Sequence, residues 1–521
     1  PARPGTLSQD VLITSVPGVL ELFASLEYLS EYPHGCLEQK LSQLYPDVAQ
    51  AALLRDLGIR TPFGKQLNGN VQRIQDEMSL YQDDQGLLAF WPGGPGDVQV
   101  TALAVEFLDG ARRAGLKVDE KPQTRAVEGL KRVLRSTYPG LVQEWRYNQQ
   151  TAALRALTRV GSLDQHYLID LFQLRNRLDI QSLADLASTM STQPTVYRTN
   201  LEVLRNELWD SVIIKLNKGK PVFEGLKWRR DAWGYYGYLS SRSASVAAVF
   251  EALVLLSPED ARLEQLRDAL LSYASAETGF GSTFENRRAI AALALYLAKA
   301  KPAVPDTTVT LSSGAALKVN KDTKTARAEV ASDAQLSATV KGGPVGMRVE
   351  AQYIPATPGD KVTPLKQGFI VSRGATWLHA DGSEETRFDD ASGEVKELKV
   401  GDILELHARI VTEEERVHVA LVVPFAAGLE PLNPELANAS SDAKPSQADS
   451  LAPAYVQRLD NEVRYYFLKM PPGTHTFHFR VRAATEGSFV HPAPWAELMY
   501  RESVRGRGEG LRIVVKGEHE K

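Results

Sequence analysis

Cysteine is almost absent: the 521 residues contain one, Cys36. A single thiol closes no intrachain bridge, which excludes the small secreted scaffolds that depend on a disulfide framework. Charge of one sign is also lacking. Lys and Arg total 60 against 64 Asp and Glu, a formal net charge of −4, so there is no electrostatic footprint for nucleic acid. Long apolar runs are missing too. Ser245–Leu256 and Ala289–Ala298 carry charges or end too soon to span a bilayer. The chain opens Pro-Ala-Arg-Pro-Gly, without a start methionine, basic n-region or apolar h-region, and is expected to be a mature or truncated product. The glycine-rich run Trp91-Pro-Gly-Gly-Pro-Gly lacks the Lys-Ser/Thr of a phosphate loop. Asp83, Asp84, Asp97 and Asp109 show no metal-ligand spacing, and Asp389-Asp390 reads as a β-domain turn. Neither metal nor cofactor is expected.

What is present divides in two. The length calls for two to four domains. From Val16 to Lys301 the apolar spacing is helical, with Leu37, Leu41, Leu44 and Val48 on one face. Three times a Gly/aromatic segment precedes a small-residue-rich helix. Leu88-Ala-Phe-Trp-Pro leads into Val100–Leu108, Trp233-Gly-Tyr-Tyr-Gly-Tyr into Ala244–Leu256, and Gly279-Phe-Gly-Ser-Thr into Arg288–Leu297. Repeated hairpins of this kind predict an α/α toroid. After Pro302 the segments become short and β-rich. Ile403–Val411 and Val417–Val423 flank a charged stretch and read as a hairpin with Glu413-Glu414-Glu415 at its tip. His475 and His478 stand on opposite faces of an alternating strand. Leu429–Tyr455 reads as a long surface loop, and a domain break is placed near Pro358.

The lone cysteine sits in Tyr32-Pro-His-Gly-Cys-Leu-Glu-Gln39. Pro33 and Gly35 favour a turn and Leu37 opens a helical pattern, which puts Cys36 at a helix N-terminus. Free N–H groups and the positive end of the helix dipole favour a thiolate there. Residues three apart on a helix are neighbours, so the Cys36 sulfur can reach the side-chain amide carbon of Gln39. Attack with loss of ammonia would leave an internal thioester. His34 reads as a solvent-facing turn residue and Glu38 as a first-turn charge complementing the dipole.

Gly-Cys-Leu-Glu-Gln resembles the thioester motif of α2-macroglobulins and complement thioester proteins, and the longer string resembles its bacterial form. The segment Gly487-Ser-Phe-Val-His-Pro-Ala-Pro-Trp-Ala-Glu-Leu-Met-Tyr, with Gly506-Arg and Leu511-Arg-Ile-Val-Val, is similar to the last domain of bacterial α2-macroglobulins. The resemblance implies a proteinase inhibitor and not an enzyme. Cleavage of an upstream bait segment collapses the molecule around the attacker, and a proteinase lysine amine takes the Gln39 acyl group in a single-use transfer that releases Cys36. Tyr32 and Met499 match the residues that shield the bacterial thioester. No His is found where complement relatives redirect the reaction to hydroxyls, so direct attack by amines is expected.

The implied architecture is multidomain, α plus all-β. An entering strand of a CUB-like domain (1–15) precedes a thioester-domain toroid (16–302). The rest of the CUB-like β domain (303–358) and a macroglobulin-type β sandwich (359–521) follow. The resemblance places the full protein in the periplasm as a monomer, held at the inner membrane by a lipid absent from this chain and joined to upstream macroglobulin and bait domains. The rival readings are a toroid enzyme such as a lyase or cyclase, which needs a metal triad or acid cluster in the toroid mouth, and a non-covalent binding module.

Overall fold

A computed structural model describes residues 2–59, 61, 64, 66–135, 147–163, 165–227, 241–330, 336–356, 361–378, 383–387 and 395–517. The segment Trp233–Tyr238, Asp389-Asp390 and the break at Pro358 lie outside them. The chain forms two compact units, one of residues 8–352 and one of residues 1–7 with 353–521.

In the first unit thirteen helices are described: α1 (Val19–Glu31), α2 (Leu37–Ala49), α3 (Ala51–Asp56), α4 (Leu67–Tyr81), α5 (Val98–Arg113), α6 (Glu120–Arg135), α7 (Tyr147–Arg159), α8 (His166–Gln173), α9 (Ile180–Met190), α10 (Arg198–Ser211), α11 (Arg242–Leu256), α12 (Leu263–Leu271) and α13 (Thr283–Ala300). Packing runs α2 to α5, α7, α9, α11, α13 and back to α2, which closes an inner ring. Outer helices lean on it: α6 against α5 and α7, α10 and α12 against α11. This is an α/α toroid.

The sequence explains which helices go inside. α5 and α11 are buried almost all round, as inner-ring helices must be, and their Ala, Ser and Val side chains let neighbours approach closely. α6 is strongly amphipathic and buries only one face, with Gln123, Ala126, Val127, Leu130 and Val133. The Gly/aromatic turns tie the ring together. Asp97 caps α5 by accepting from the Gln99 and Val100 N–H groups. Ser282 and Glu285 form a reciprocal capping box at α13, and Asn286 Nδ2 donates to the carbonyls of Thr278, Gly281 and Ser282. Gly279, at φ +56°, is required here, because a Cβ would sit 2.8 Å from Ser25 Cα.

The same unit holds a small β domain around the toroid's ends. Strand Ser8–Thr14 lies between Thr325–Val330 and Gly346–Gln352, antiparallel to both, so the whole helical ring is an insertion between a strand and its partners. Its core is Val11, Ile13, Val309, Leu311, Leu317, Val319 and Val330.

The second unit is a β sandwich. One sheet orders Leu365–Gln367, Arg501–Arg507, Trp495–Leu498, Arg416–Pro424, Glu462–Met470 and Tyr455–Arg458. The facing sheet orders Glu384–Arg387, Ile370–Leu378, Ile403–Thr412, Gly473–Ala483 and Leu429–Leu432. Val419, Leu421, Val423, Tyr465 and Phe467 meet Leu404, Leu406, Ile410, Phe477 and Phe479 in the core. Ile403–Thr412 and Arg416–Pro424 are therefore not a hairpin. They pair with strands of different sheets, and the exposed Glu413-Glu414-Glu415 turn is the arch between them. Both strands are apolar on the face that meets the other sheet, and burying those two faces against each other outweighs local pairing. The stretch from Leu429 to Tyr455 begins and ends in strand, with a surface segment between. Among the described strands of this unit pairing is antiparallel, except that Val395–Lys399 runs parallel to Leu511–Lys516; an isolated bridge between Gly368 and Arg505 is also parallel. No described helix is long and apolar enough to cross a membrane.

Charges line the bore of the toroid. Arg155 Nε donates to Glu106 at 2.7 Å, and Asp185 receives Arg155 at 3.2 Å and Arg288 at 2.6 Å. Burial opposes the Arg155 charge, but Glu106 and Asp185 more than offset it and push its pKa up. Asp185→Ala leaves two buried guanidinium groups short of a counter-charge, so a loss of about 3–5 kcal/mol is expected in denaturant unfolding.

Candidate functional site

The loop Tyr32–Gly35 joins α1 to α2. Its residue before proline is extended (Tyr32 ψ 123°), which ends α1 and frees α2 to start anew. Cys36 is the N-cap of α2, with extended backbone at φ −65° and ψ 165°. Its side chain accepts from the Gln39 N–H while its own N–H donates to Gln39 Oε1 at 3.3 Å, so sulfur and amide face each other across one turn. The next orphan donor, Leu37 N–H, is taken by the Phe90 carbonyl at 2.9 Å. Cys36 and Gln39 are fully buried, and Leu37 is 1 % exposed.

Gln39 Nε2 stands out at the reacting pair. It is buried and has no hydrogen-bond partner among the described residues. An orphaned amide donor costs about 1–3 kcal/mol, and loss of that nitrogen as ammonia would remove the cost.

Around this pair the structure corrects two expectations. His34 does not face solvent; it is 1 % exposed and packs edge-on against the Tyr32 ring, whose other neighbour is Tyr28. Glu38 is not a surface charge either. It is 2 % exposed and accepts from Ser42 Oγ at 2.6 Å and from Thr283 Oγ1 at 2.9 Å, which bolts α2 to the start of α13. Both residues were misread for one reason: a turn or first-turn position is exposed on an isolated helix, but α2 belongs to a closed ring.

Lys40, the next residue along, lies over Gly35, with its Cε 3.6 Å from where a Cβ would stand. Its ammonium donates to Glu77 at 2.6 Å and to Tyr81 Oη at 3.1 Å. Burial works against the charge, yet these two partners outweigh it and raise the Lys40 pKa. The amine nearest in sequence to Gln39 is thereby held protonated and without a free lone pair. Nothing in the sequence flagged Glu77 or Tyr81, which come from α4.

The bore does carry acids, Glu38, Glu106 and Asp185, beside Arg155, Arg287 and Arg288. Glu106 and Asp185 are each bound to arginine, and Glu38 accepts from two hydroxyls. Tyr32 is 6 % exposed, and its carbonyl accepts from Gln43. Met499 belongs to the other unit, in the turn after Trp495–Leu498. It is 1 % exposed, and its N–H donates to the His418 carbonyl at 2.9 Å.

Residues 368–503 match the family model described as the bacterial α2-macroglobulin MG10 domain. An α2-macroglobulin homologue from Nostoc is 22 % identical over 466 residues, covering 87 % of this chain and 24 % of its own length. The Escherichia coli α2-macroglobulin is 23 % identical over 541 aligned residues, covering 98 % and 30 %. Residues 368–503 thus resemble a bacterial α2-macroglobulin domain, and most of the chain is similar to α2-macroglobulins. It spans less than a third of these two curated relatives. The fold agrees with solved α2-macroglobulin structures. One is the Salmonella protein reacted with methylamine (TM-score 0.76, 21 % identity, 98 % of this chain and 32 % of that one). Another is native E. coli α2-macroglobulin from domain MG7 to the C-terminus (TM-score 0.73, 20 % identity, 99 % and 78 %).

The Met499 turn of this chain rests on a titratable support. His418 is 5 % exposed, sits in the left-handed region at φ +53° and meets the Tyr500 ring edge-on at 5.3 Å. Burial pushes its pKa down from 6.5 to about 3. Below 6.5 the unfolded chain takes up a proton that the native imidazole refuses. The stability this group supplies is therefore complete above 6.5 and is lost as pH falls toward about 3. His418→Asn keeps a residue that tolerates left-handed backbone and removes this titration. Its unfolding free energy should fall less steeply than wild type across that interval; equal slopes would contradict the assignment.

Proposed function

We propose that this chain is the reactive part of a proteinase trap, and that Cys36 and Gln39 form an internal thioester. The observation that carries the reading is the buried, reciprocal Cys36–Gln39 pair, whose amide nitrogen lacks a hydrogen-bond partner among the described residues. In forming the bond the Cys36 sulfur adds to Gln39 Cδ, the C–N bond breaks and ammonia leaves with the thiol proton. In the trapping step a lysine amine of the proteinase adds to the same carbon. The oxyanion develops at Oε1, which already accepts from the Cys36 N–H. Collapse of the tetrahedral adduct expels the Cys36 thiolate and leaves an amide cross-link. The transfer occurs once and is not turned over.

Three features of the site support storage of such an acyl group. Full burial excludes water from the carbonyl. The Phe90 carbonyl and the Glu38–Thr283 bond hold α2 in place, so the sulfur and the acyl carbon keep their alignment. Lys40 is kept as an ammonium by Glu77 and Tyr81, which spares the thioester from self-acylation. The Salmonella relative's reaction with methylamine is consistent with attack by a small amine. Tyr32 and Met499 are assigned to shielding, and proteinase trapping is assigned to the whole protein, with upstream macroglobulin and bait domains. Its place is the periplasm, with a lipid anchor at the inner membrane. The division at 15, 302 and 358, with a CUB-like domain around the toroid, belongs to the same reading.

Freshly made protein should have no titratable thiol and should weigh one ammonia less than its sequence. Labelled methylamine should add at Gln39 and release the Cys36 thiol, and Gln39→Glu and Cys36→Ala should each abolish incorporation. Full sequence mass with a reactive thiol, or label retained by Cys36→Ala, would refute the thioester.

Tyr32→Ala and Met499→Ala test the shielding assignment on their own. Each should shorten the lifetime of the thioester in water, read as the rate of thiol appearance. Wild-type lifetimes in both variants would overturn the shielding role and leave the thioester standing.

A further inference from the structure

The β sandwich carries a cluster of polar side chains that trapping does not use. On the strands Ile403–Thr412 and Gly473–Ala483, His407 is directly opposite His478 and Glu405 is directly opposite Arg480. Alternation along each strand puts all four on one face of the sheet. His475, three residues from His478, is on the other face and bonds the Pro471 carbonyl instead. Glu405 is fully buried, and His407 and His478 are each 7 % exposed. One ligand atom from each of Glu405, His407 and His478 lies within 4.8 Å of the other two.

We propose that Glu405, His407 and His478 form a binding site for a divalent transition metal of the zinc type. The two Nδ1 atoms stand 2.8 Å apart, and His478 Nδ1 is 3.8 Å from Glu405 Oε1, so three lone-pair donors converge on one point. Two ring nitrogens at that distance need a positive centre between them. A shared proton fills the role in the metal-free protein. With a metal bound, His478 carries its proton on Nε2 and both Nδ1 atoms turn to the ion. Zinc–nitrogen bonds of about 2.0–2.1 Å in tetrahedral geometry require the pair to open by only about half an ångström. Two imidazoles and one carboxylate select zinc-like ions over magnesium or calcium, which take oxygen ligands, and water completes the set.

The surroundings are those of metal ligands held from behind. Thr376 Oγ1 lies 2.7 Å from His407 Nε2, and by accepting from that nitrogen it would hold the ring in the tautomer that offers Nδ1 to a metal. Glu405 Oε1 accepts from Ser446 Oγ at 2.7 Å; Oε2 accepts from Ser446 N–H at 2.7 Å and from Arg480 Nε at 2.9 Å. The arginine thus sits at the carboxylate oxygen turned away from the histidines. Asp449 accepts from the His478 backbone N–H at 2.8 Å and adds a second negative charge beside the cluster. Ser446 and Asp449 both come from the segment between Leu432 and Tyr455, so the metal would clamp this surface segment to the sheet.

The test is titration of chelator-treated full-length chain with zinc chloride, followed by calorimetry and thermal unfolding. One equivalent should bind and raise the unfolding midpoint, while magnesium chloride should do neither. His407→Gln and His478→Gln should abolish that equivalent. Thr376→Val, which keeps every ligand, should weaken binding by about 10–100-fold. Cys36→Ser should bind as wild type does, which separates this site from a released thiol. Absence of stoichiometric binding, wild-type affinity in Thr376→Val and both His variants, or loss of binding in Cys36→Ser would overturn the proposal.

Discussion

Closure of the helical ring is the constraint on which the reactive site depends. A helix N-terminus in isolation is wet: its first N–H groups find water, and a side chain there is free to rotate. In this protein α2 is pressed between α5 and α13, and three donors at its start have assigned acceptors. Gln39 N–H goes to the Cys36 side chain, Cys36 N–H to Gln39 Oε1, and Leu37 N–H to the Phe90 carbonyl. Once water is excluded and α2 is anchored through Glu38 to Thr283, the sulfur and the amide have little room except against each other. The leftover amide nitrogen is the strain that remains, and it is the atom the proposed chemistry discards.

The ring is closed by two kinds of force. Ala-rich inner helices bring apolar faces together without bulk, and this carries most of the stability. The bore would then collect buried charge at high cost, except that carboxylates and guanidinium groups alternate around it. Arg155 spans Glu106 and Asp185, Arg288 shares Asp185, and Arg159 reaches Asp109 at 3.0 Å. Arg287 lies instead over the rings of Tyr45 and Phe284 at 5.4 Å. These pairings tie α5, α7, α9 and α13 to one another across the ring, and Arg287 over Tyr45 ties α13 to α2.

The β sandwich uses a parallel strategy on a different scaffold. Its core is apolar, but one sheet face holds a polar group of Glu405, His407, His478 and Arg480 under the segment before Tyr455. Buried polar groups of this kind are tolerated when every member finds a partner. Here the partners come from a segment with little regular structure of its own, so its course over the sheet is dictated by those hydrogen bonds.

Several things were decided by the sequence alone. Cys36 and Gln39 are three residues apart behind a Pro-x-Gly turn, and local geometry makes them neighbours whatever surrounds the helix. The alternation from α to β at Pro302 follows from hydrophobic period, which is also local. The segment Gly279-Phe-Gly-Ser-Thr signalled the ring because it must turn the chain between packed helices, as Gly279 does. Tertiary structure decided the rest. The burial of Glu38, the Glu77–Lys40–Tyr81 contact and the arginine pairings of the bore join residues from 30 to more than 200 positions apart. So does the split of Ile403–Thr412 and Arg416–Pro424 between two sheets, where the apolar faces of both strands prefer a distant partner to each other. Periodicity reports which face of an element is apolar; it carries no information on what that face meets, because the choice among partners is made by the packing of the whole unit.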